Sequence, residues 1–240
     1  MSIPLFLAFT AEEFLQNVPF PAKTAWMSVH FSSNGSGLTN LPPQLPQGSL
    51  ILLDDHIQWA NHSIERVCQE LVTVLQRTES IGILLDFERE PTAETLLLTK
   101  ALGRCCKELG VALSAPPKYL LEDDTTLFLS PFPCSIAPEN IDPQRKVWLD
   151  ISPVCHSIRI SKDCTLGSPA PYTLAGIPNS QEVYWDEDLL CNYYSEADGD
   201  DIRITLFRDA TSAAKLLNRL NPAKIQLAIG LWRDFGASLD

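Results

Sequence analysis

Short apolar runs alternate with amphipathic helical patterns along most of this chain, and that alternation constrains the fold more than any other feature. A strand followed by a helix that returns to a parallel neighbour is the βα unit, and a parallel sheet covered on both faces has near-continuous apolar strands. Such runs lie at Ile3–Thr10, Thr24–Phe31, Leu50–Asp54, Ile81–Glu88, Val111–Ala115, Leu127–Ser130, Lys146–Ser152 and Ile225–Trp232. Eight is the number that closes a (β/α)8 TIM barrel, and 240 residues suit one such α/β domain, so the sequence predicts a single barrel over 1–240.

The helical segments agree with this. Ile64, Val67, Cys68, Leu71 and Leu75 recur at helical spacing with Glu65, Arg66, Gln69 and Arg77 on the other side. Pro91 and Thr92 open a second helix with a stripe of Leu98, Ala101, Leu102, Cys105 and Leu109, and Gly110 ends it. A third runs from about Ser212 to Leu220 and stops at Asn221-Pro222. The proline-rich stretches 131–143 and 168–178 read as loops. Residues 191–208, CNYYSEADGDDIRITLFR, place Asp-Gly between two alternating runs, which predicts a small β-hairpin inserted near the seventh unit.

The formal charge of −12 excludes a nucleic-acid binder, because phosphate neutralisation needs clustered Lys and Arg; a neutral or cationic ligand suits this surface. No apolar run is long enough for a transmembrane segment. The opening MSIPLFLAFTAEE lacks a basic region and reaches Glu12 and Glu13 early, so a cytoplasmic location is expected. Seven cysteines without a CxxC pair read as reduced thiols, with neither a disulfide framework nor a sulfur-bound metal.

The stretch IGILLDFERE, 81–90, carries the strongest chemical signal. Side chains alternate across a strand, so Asp86 and Glu88 share a face, which in a parallel barrel is the interior. Glu88 is then expected at the C-terminal rim, where barrel active sites are built, with Asp86 about 7 Å deeper. Neighbouring negative charge and burial would keep Glu88 protonated near neutral pH, as a general acid requires. The same residues would also suit capping of the next helix or pairing with Arg89.

Two separated stretches add a resemblance. GILLDFE, 82–88, resembles the end of the Asp-x-x-Asp-x-Asp-x-Glu signature of glycoside hydrolase family 18, the chitinase-like barrels, where it lies on the fourth strand. Residues 184–232 are similar in layout to the closing part of that family, especially its peptidoglycan- and spore-cortex-directed members, and VALSAPP, 111–117, is similar to the fifth strand. The resemblance implies that Glu88 is the acid/base and Asp86 holds the sugar's 2-acetamido group, whose oxygen acts as the nucleophile in substrate-assisted retaining hydrolysis. It further implies an N-acetylated glycan as partner, no cofactor, and Trp232 beneath the sugar ring; it leaves export or spore association open. Ile81 and Leu84 stand where the signature has its two earlier aspartates, and LFLSPF, 127–132, lacks the Tyr and Asp expected on the sixth strand. Tyr193, or Tyr194 or Tyr184, would have to reach in from the hairpin region to support the acetamido group.

The remaining candidates are Asp54-Asp55-His56 on the third strand's rim, with Asp55 as a substrate contact, and Trp59, which follows that rim and offers a stacking face. His30, His56 and His156 are each placed where they could converge on one rim; metal chemistry at Asp55 and His56 is the minority reading, and hydrogen-bonded structure the plainer one. SSNGSG, 32–37, reads as a mobile rim loop, and no G-x-S-x-G elbow supports serine catalysis. The sequence thus predicts a divergent family 18-like hydrolase, with a catalytically impaired, carbohydrate-binding or interaction barrel as its alternative.

Overall fold

The computed structural model describes residues 3–16, 20–42, 44–59, 62–120, 125–130, 132–134, 136–137, 145–171, 182–221 and 223–235. Much of 131–143 and 168–178, and Pro222 of the third helix's stop, lie outside these residues.

In chain order the first strands and helices are β1 (Leu5–Phe9), α1 (Ala11–Leu15), β2 (Thr24–Phe31), a two-residue β3 (Leu38–Thr39), β4 (Leu50–Asp54), α2 (Ile64–Thr78), β5 (Gly82–Asp86) and α3 (Ala93–Leu109). Next come β6 (Ala112–Ala115), β7 (Thr126–Leu129) and β8 (Val147–Asp150). An antiparallel group follows: β9 (Val154–Ile160), β10 (Ala170–Pro171), β11 (Tyr184–Asp186), β12 (Cys191–Asp198) and β13 (Asp201–Arg208). The chain then returns through α4 (Ala210–Arg219), β14 (Ile225–Leu231) and α5 (Trp232–Phe235). Each of the eight expected barrel strands is present. They pair in parallel in the order β1-β14-β8-β7-β6-β5-β4-β2, and β1 also pairs with β2, which closes the barrel.

Local chemistry sets the element ends. Ser63 caps α2 by accepting from the Arg66 N–H, and the Thr92 side chain accepts from the Thr95 N–H at the start of α3. Gly110, at φ 70°, takes the left-handed conformation that ends α3. In α2 and α3, Val67, Leu71, Leu75, Leu98 and Leu102 are buried against the outward faces of β4 and β5, including Ile51, Leu53, Ile83 and Leu85. The alternate residues fill the barrel: Phe6, Ala8, Leu50, Leu52, Leu84 and Trp148 form a separate interior cluster. Gly82 makes room for this filling, since a Cβ there would lie 2.9 Å from the tip of the Trp148 indole.

The insertion is larger than the hairpin expected from sequence. The β12–β13 hairpin forms, but β13 also pairs with β9, and the result is a five-stranded antiparallel sheet in the order β10-β9-β13-β12-β11. Arg208, buried at its base, donates to the carbonyls of Leu190, Phe132 and Pro133 and so ties the sheet to the loop after β7. The 32–37 segment is a hydrogen-bonded turn, with the Ser32 N–H donating to the Gly37 carbonyl at 2.9 Å and the Gly35 N–H to Ser32, which satisfies its backbone locally. All seven cysteines are free thiols. Among the described residues no helix is long and apolar enough to cross a membrane.

Candidate active site

Strand parity carries polar side chains to the barrel mouth. Leu52 and Leu84 face the interior, and two residues later Asp54 and Asp86 face it too, as register partners on adjacent strands. His30 is the register partner of Asp54 on β2. The row His30, Asp54, Asp86 therefore crosses three neighbouring strands at their C-terminal ends, the end where barrel sites form.

These residues line a cleft of about 500 Å³ together with His56, Glu88 and Arg89. His30 Nδ1 lies 2.6 Å from Asp54 Oδ2, with both side chains about four-fifths shielded (24% and 20% exposed). The other Asp54 oxygen accepts from the His56 N–H at 2.9 Å, a turn that ends β4 and keeps the His56 ring 6.3 Å from that of His30. His156 is elsewhere, on β9 opposite Leu206, so only two of the three histidines converge.

Strand β5 ends at Asp86, two residues before the expected end. Beyond it the chain is held by Asp55, whose buried carboxylate accepts from the backbone N–H of Glu88 at 2.9 Å and of Arg89 at 3.0 Å. The Arg89 guanidinium in turn donates to the carbonyls of Asp55 and His56, at 2.8 and 3.0 Å. Asp55 is thus a clamp between two rim loops. Its two oxygens are engaged by backbone donors; among the described residues no group of three or more His, Cys, Asp or Glu is arranged to hold a metal.

Burial raises Asp86 to a pKa of about 7, helped by the charges of Asp150, Glu88, Asp54 and Asp55. Glu88 is exposed at the rim, so the burial invoked for it from sequence is found one layer deeper, at Asp86. Asp86 and Glu88 also line a second cleft of about 480 Å³, walled by Pro116, Pro117, Phe128 and Pro133. The two carboxyl groups stand where the clefts meet.

Asp150 was not singled out from sequence. It faces the interior two residues after the interior Trp148, at the end of β8. Its oxygens accept from Ser130 Oγ at 2.9 Å and from the Ser152 N–H at 2.7 Å, and burial pushes its pKa up. A signal was present: β4, β5 and β8 all close on Leu-Asp, at Leu53-Asp54, Leu85-Asp86 and Leu149-Asp150.

The stacking candidates fall outside the mouth. Trp59 lines an adjoining cleft of about 600 Å³ that shares Asp55 and Arg89 with the first, and its ring meets Phe31 edge-on at 5.2 Å. Trp232 opens α5 and stacks on Phe9 at 4.9 Å, in the apolar layer outside the barrel. Tyr193 lies on β12 beside Tyr184, their rings 5.6 Å apart.

No protein-family model and no curated protein matches the sequence. Solved structures do match. A GH18 chitinase from Cycas revoluta in complex with (GlcNAc)3 superposes with a TM-score of 0.55 over 95% of this chain and 94% of that one, at 10% identity. The chain has the chitinase-like barrel fold. The Bacillus cereus spore cortex-lytic enzyme SleL gives a TM-score of 0.52 at 11% identity, covering 95% of this chain and 70% of its own. A mutant class V chitinase from Nicotiana tobaccum in complex with NAG4 gives 0.54 at 8% identity, over 96% and 93%. The shared property is the barrel architecture of glycoside hydrolases.

Proposed function

We propose that the barrel mouth binds an N-acetylated glycan, of chitooligosaccharide or peptidoglycan type, and hydrolyses it with the help of the substrate's own acetamido group. The observation that carries this reading is the placement of Asp86, a half-buried acid raised to about 7, next to rim-exposed Glu88 at the junction of two clefts. The chitinase-like barrel and the glycans bound to its structural neighbours support it.

In this mechanism the Glu88 carboxylic acid gives its proton to the glycosidic oxygen as the bond from that oxygen to the anomeric carbon breaks. The acetamido carbonyl oxygen forms a bond to the same carbon from the opposite face, giving a cyclic oxazolinium ion, while the Asp86 carboxyl accepts the acetamido N–H and holds the group in line. Water then adds at the anomeric carbon, its proton returns to Glu88, and the acetamido group is released with retained configuration.

Glu88→Gln tests this directly. General acid catalysis contributes about 10²- to 10⁴-fold, so release of reducing ends from chitooligosaccharides or glycan strands should fall by that factor while binding of an N-acetylglucosamine oligomer is kept. Binding by the wild type without any release of reducing ends would sink the hydrolase reading. It would leave a carbohydrate-binding barrel, which one observation favours: buried Leu84 fills the interior beneath Asp86 with apolar surface.

A further inference from the structure

Nothing on β5 itself shares the charge of Asp86 from below, because the next interior residue is Leu84, fully buried, and the one beneath it is Gly82. Its polar neighbours arrive from other strands. Asp54 is its register partner on β4, one strand spacing of about 5 Å away. Asp150 ends β8 on the interior face, anchored at both oxygens by Ser130 and Ser152. Asp54 accepts from the His56 N–H on one oxygen and has His30 Nδ1 2.6 Å from the other.

We infer that Asp54, on the adjacent strand β4, and Asp150, at the end of β8 three strands round the barrel, are positioning residues that favour the proton on Asp86. A carboxylate anchored by its hydrogen bonds cannot readily turn away, and like charges gathered at one barrel mouth cannot all be ionised at low cost. The charges acting on Asp86 agree: after burial itself, Asp150 acts most strongly, followed by Glu88, Asp54 and Asp55. His30, His56 and Arg89 line the same cleft, but the Arg89 guanidinium is turned to the Asp55 and His56 carbonyls. Through this arrangement, the charge presented to a bound acetamido group is set from β4 and β8. That role in turnover rests on the function proposed above, whereas the placement of the proton does not.

The test is a carboxyl carbon-13 NMR titration of the full chain, with the Asp86 signal assigned by its loss in Asp86→Asn. In Asp150→Asn, and separately in Asp54→Asn, the Asp86 midpoint should fall by about one pH unit, raising its ionised fraction at the wild-type midpoint from half to about nine-tenths. Asp163→Asn, on an exposed turn of the inserted sheet, should leave it unchanged. If Asp150→Asn does not fold, Asp54→Asn decides alone. An unmoved Asp86 midpoint in the folded variants overturns the inference. Where the wild type turns over glycan, the limb of its pH profile near neutrality should shift down in step with the NMR midpoint, an effect that loss of packing does not produce. A shifted midpoint without any turnover would sink the hydrolase reading and leave this inference standing.

Discussion

The floor and the mouth of this barrel are built from the same strands and differ in what two residues of strand can do. On the floor, Gly82, Leu84, Leu52 and Trp148 are packed against one another, and the polar tips are satisfied: the Trp148 indole N–H donates to Gln226 at 3.1 Å and the Ser114 hydroxyl to the Thr126 carbonyl at 3.2 Å. One step higher, Asp54, Asp86 and Asp150 face the same axis, and their neighbours are each other, two histidines and solvent. The floor gains stability by removing apolar surface from water; the mouth gives some back by crowding carboxylates in a partly buried cleft.

The largest effect that would sharpen this contrast is on the floor. Trp148→Ala should cost about 3–5 kcal/mol of unfolding free energy in a denaturant titration, with little dependence on pH, because it leaves a cavity where no titratable group changes. A loss that varied strongly with pH would show that floor and mouth are not separate regions.

Asp86→Asn should act in the opposite direction. Asp86 is raised from 3.8 to about 7 in the folded protein. Well below 3.8 it is protonated in both the folded and unfolded chains and costs nothing. Between about 4 and 7 the unfolded chain ionises first, so stability falls as pH rises, and the full cost remains above 7. The interval corresponds to on the order of 4 kcal/mol, reduced by the solvent admitted to the cleft. The Asn variant should therefore be more stable than wild type at pH 8, by a margin that shrinks to a small remainder by pH 4 in thermal melts. Equal stability at both pH values would place Asp86 outside the strained mouth.

The smallest of these effects belongs to the clamp between rim loops. Asp55→Ala removes two charge-assisted bonds to the Glu88 and Arg89 N–H groups and should cost about 2 kcal/mol. Hydrogen exchange should rise first at residues 87–90, with β4 and β5 still protected. Exchange that rose throughout both strands would show that the clamp holds the barrel itself.

Most of the architecture was legible in the sequence. Eight apolar runs and three amphipathic helices, one opened by Thr92 and ended by Gly110, specify strands and helices through local chemistry and periodicity. Strand parity likewise put Asp86 on the interior. What failed did so where long-range contact decides. The strand ends at Asp86 because Asp55, from another loop, takes the next backbone donors. Trp232 stacks outside because α5 turns it onto Phe9, and the hairpin grew into a sheet because β9, remote in sequence, pairs with β13.

By itself, then, the sequence determined a closed parallel barrel and an interior-facing acid on its fourth strand, because alternation and spacing are properties of one segment at a time. Only the tertiary structure decided which acid carries the raised pKa and which groups surround it. That depends on register between strands, which sets Asp54 beside Asp86 and brings Asp150 to the same mouth, and on burial, which no single segment contains.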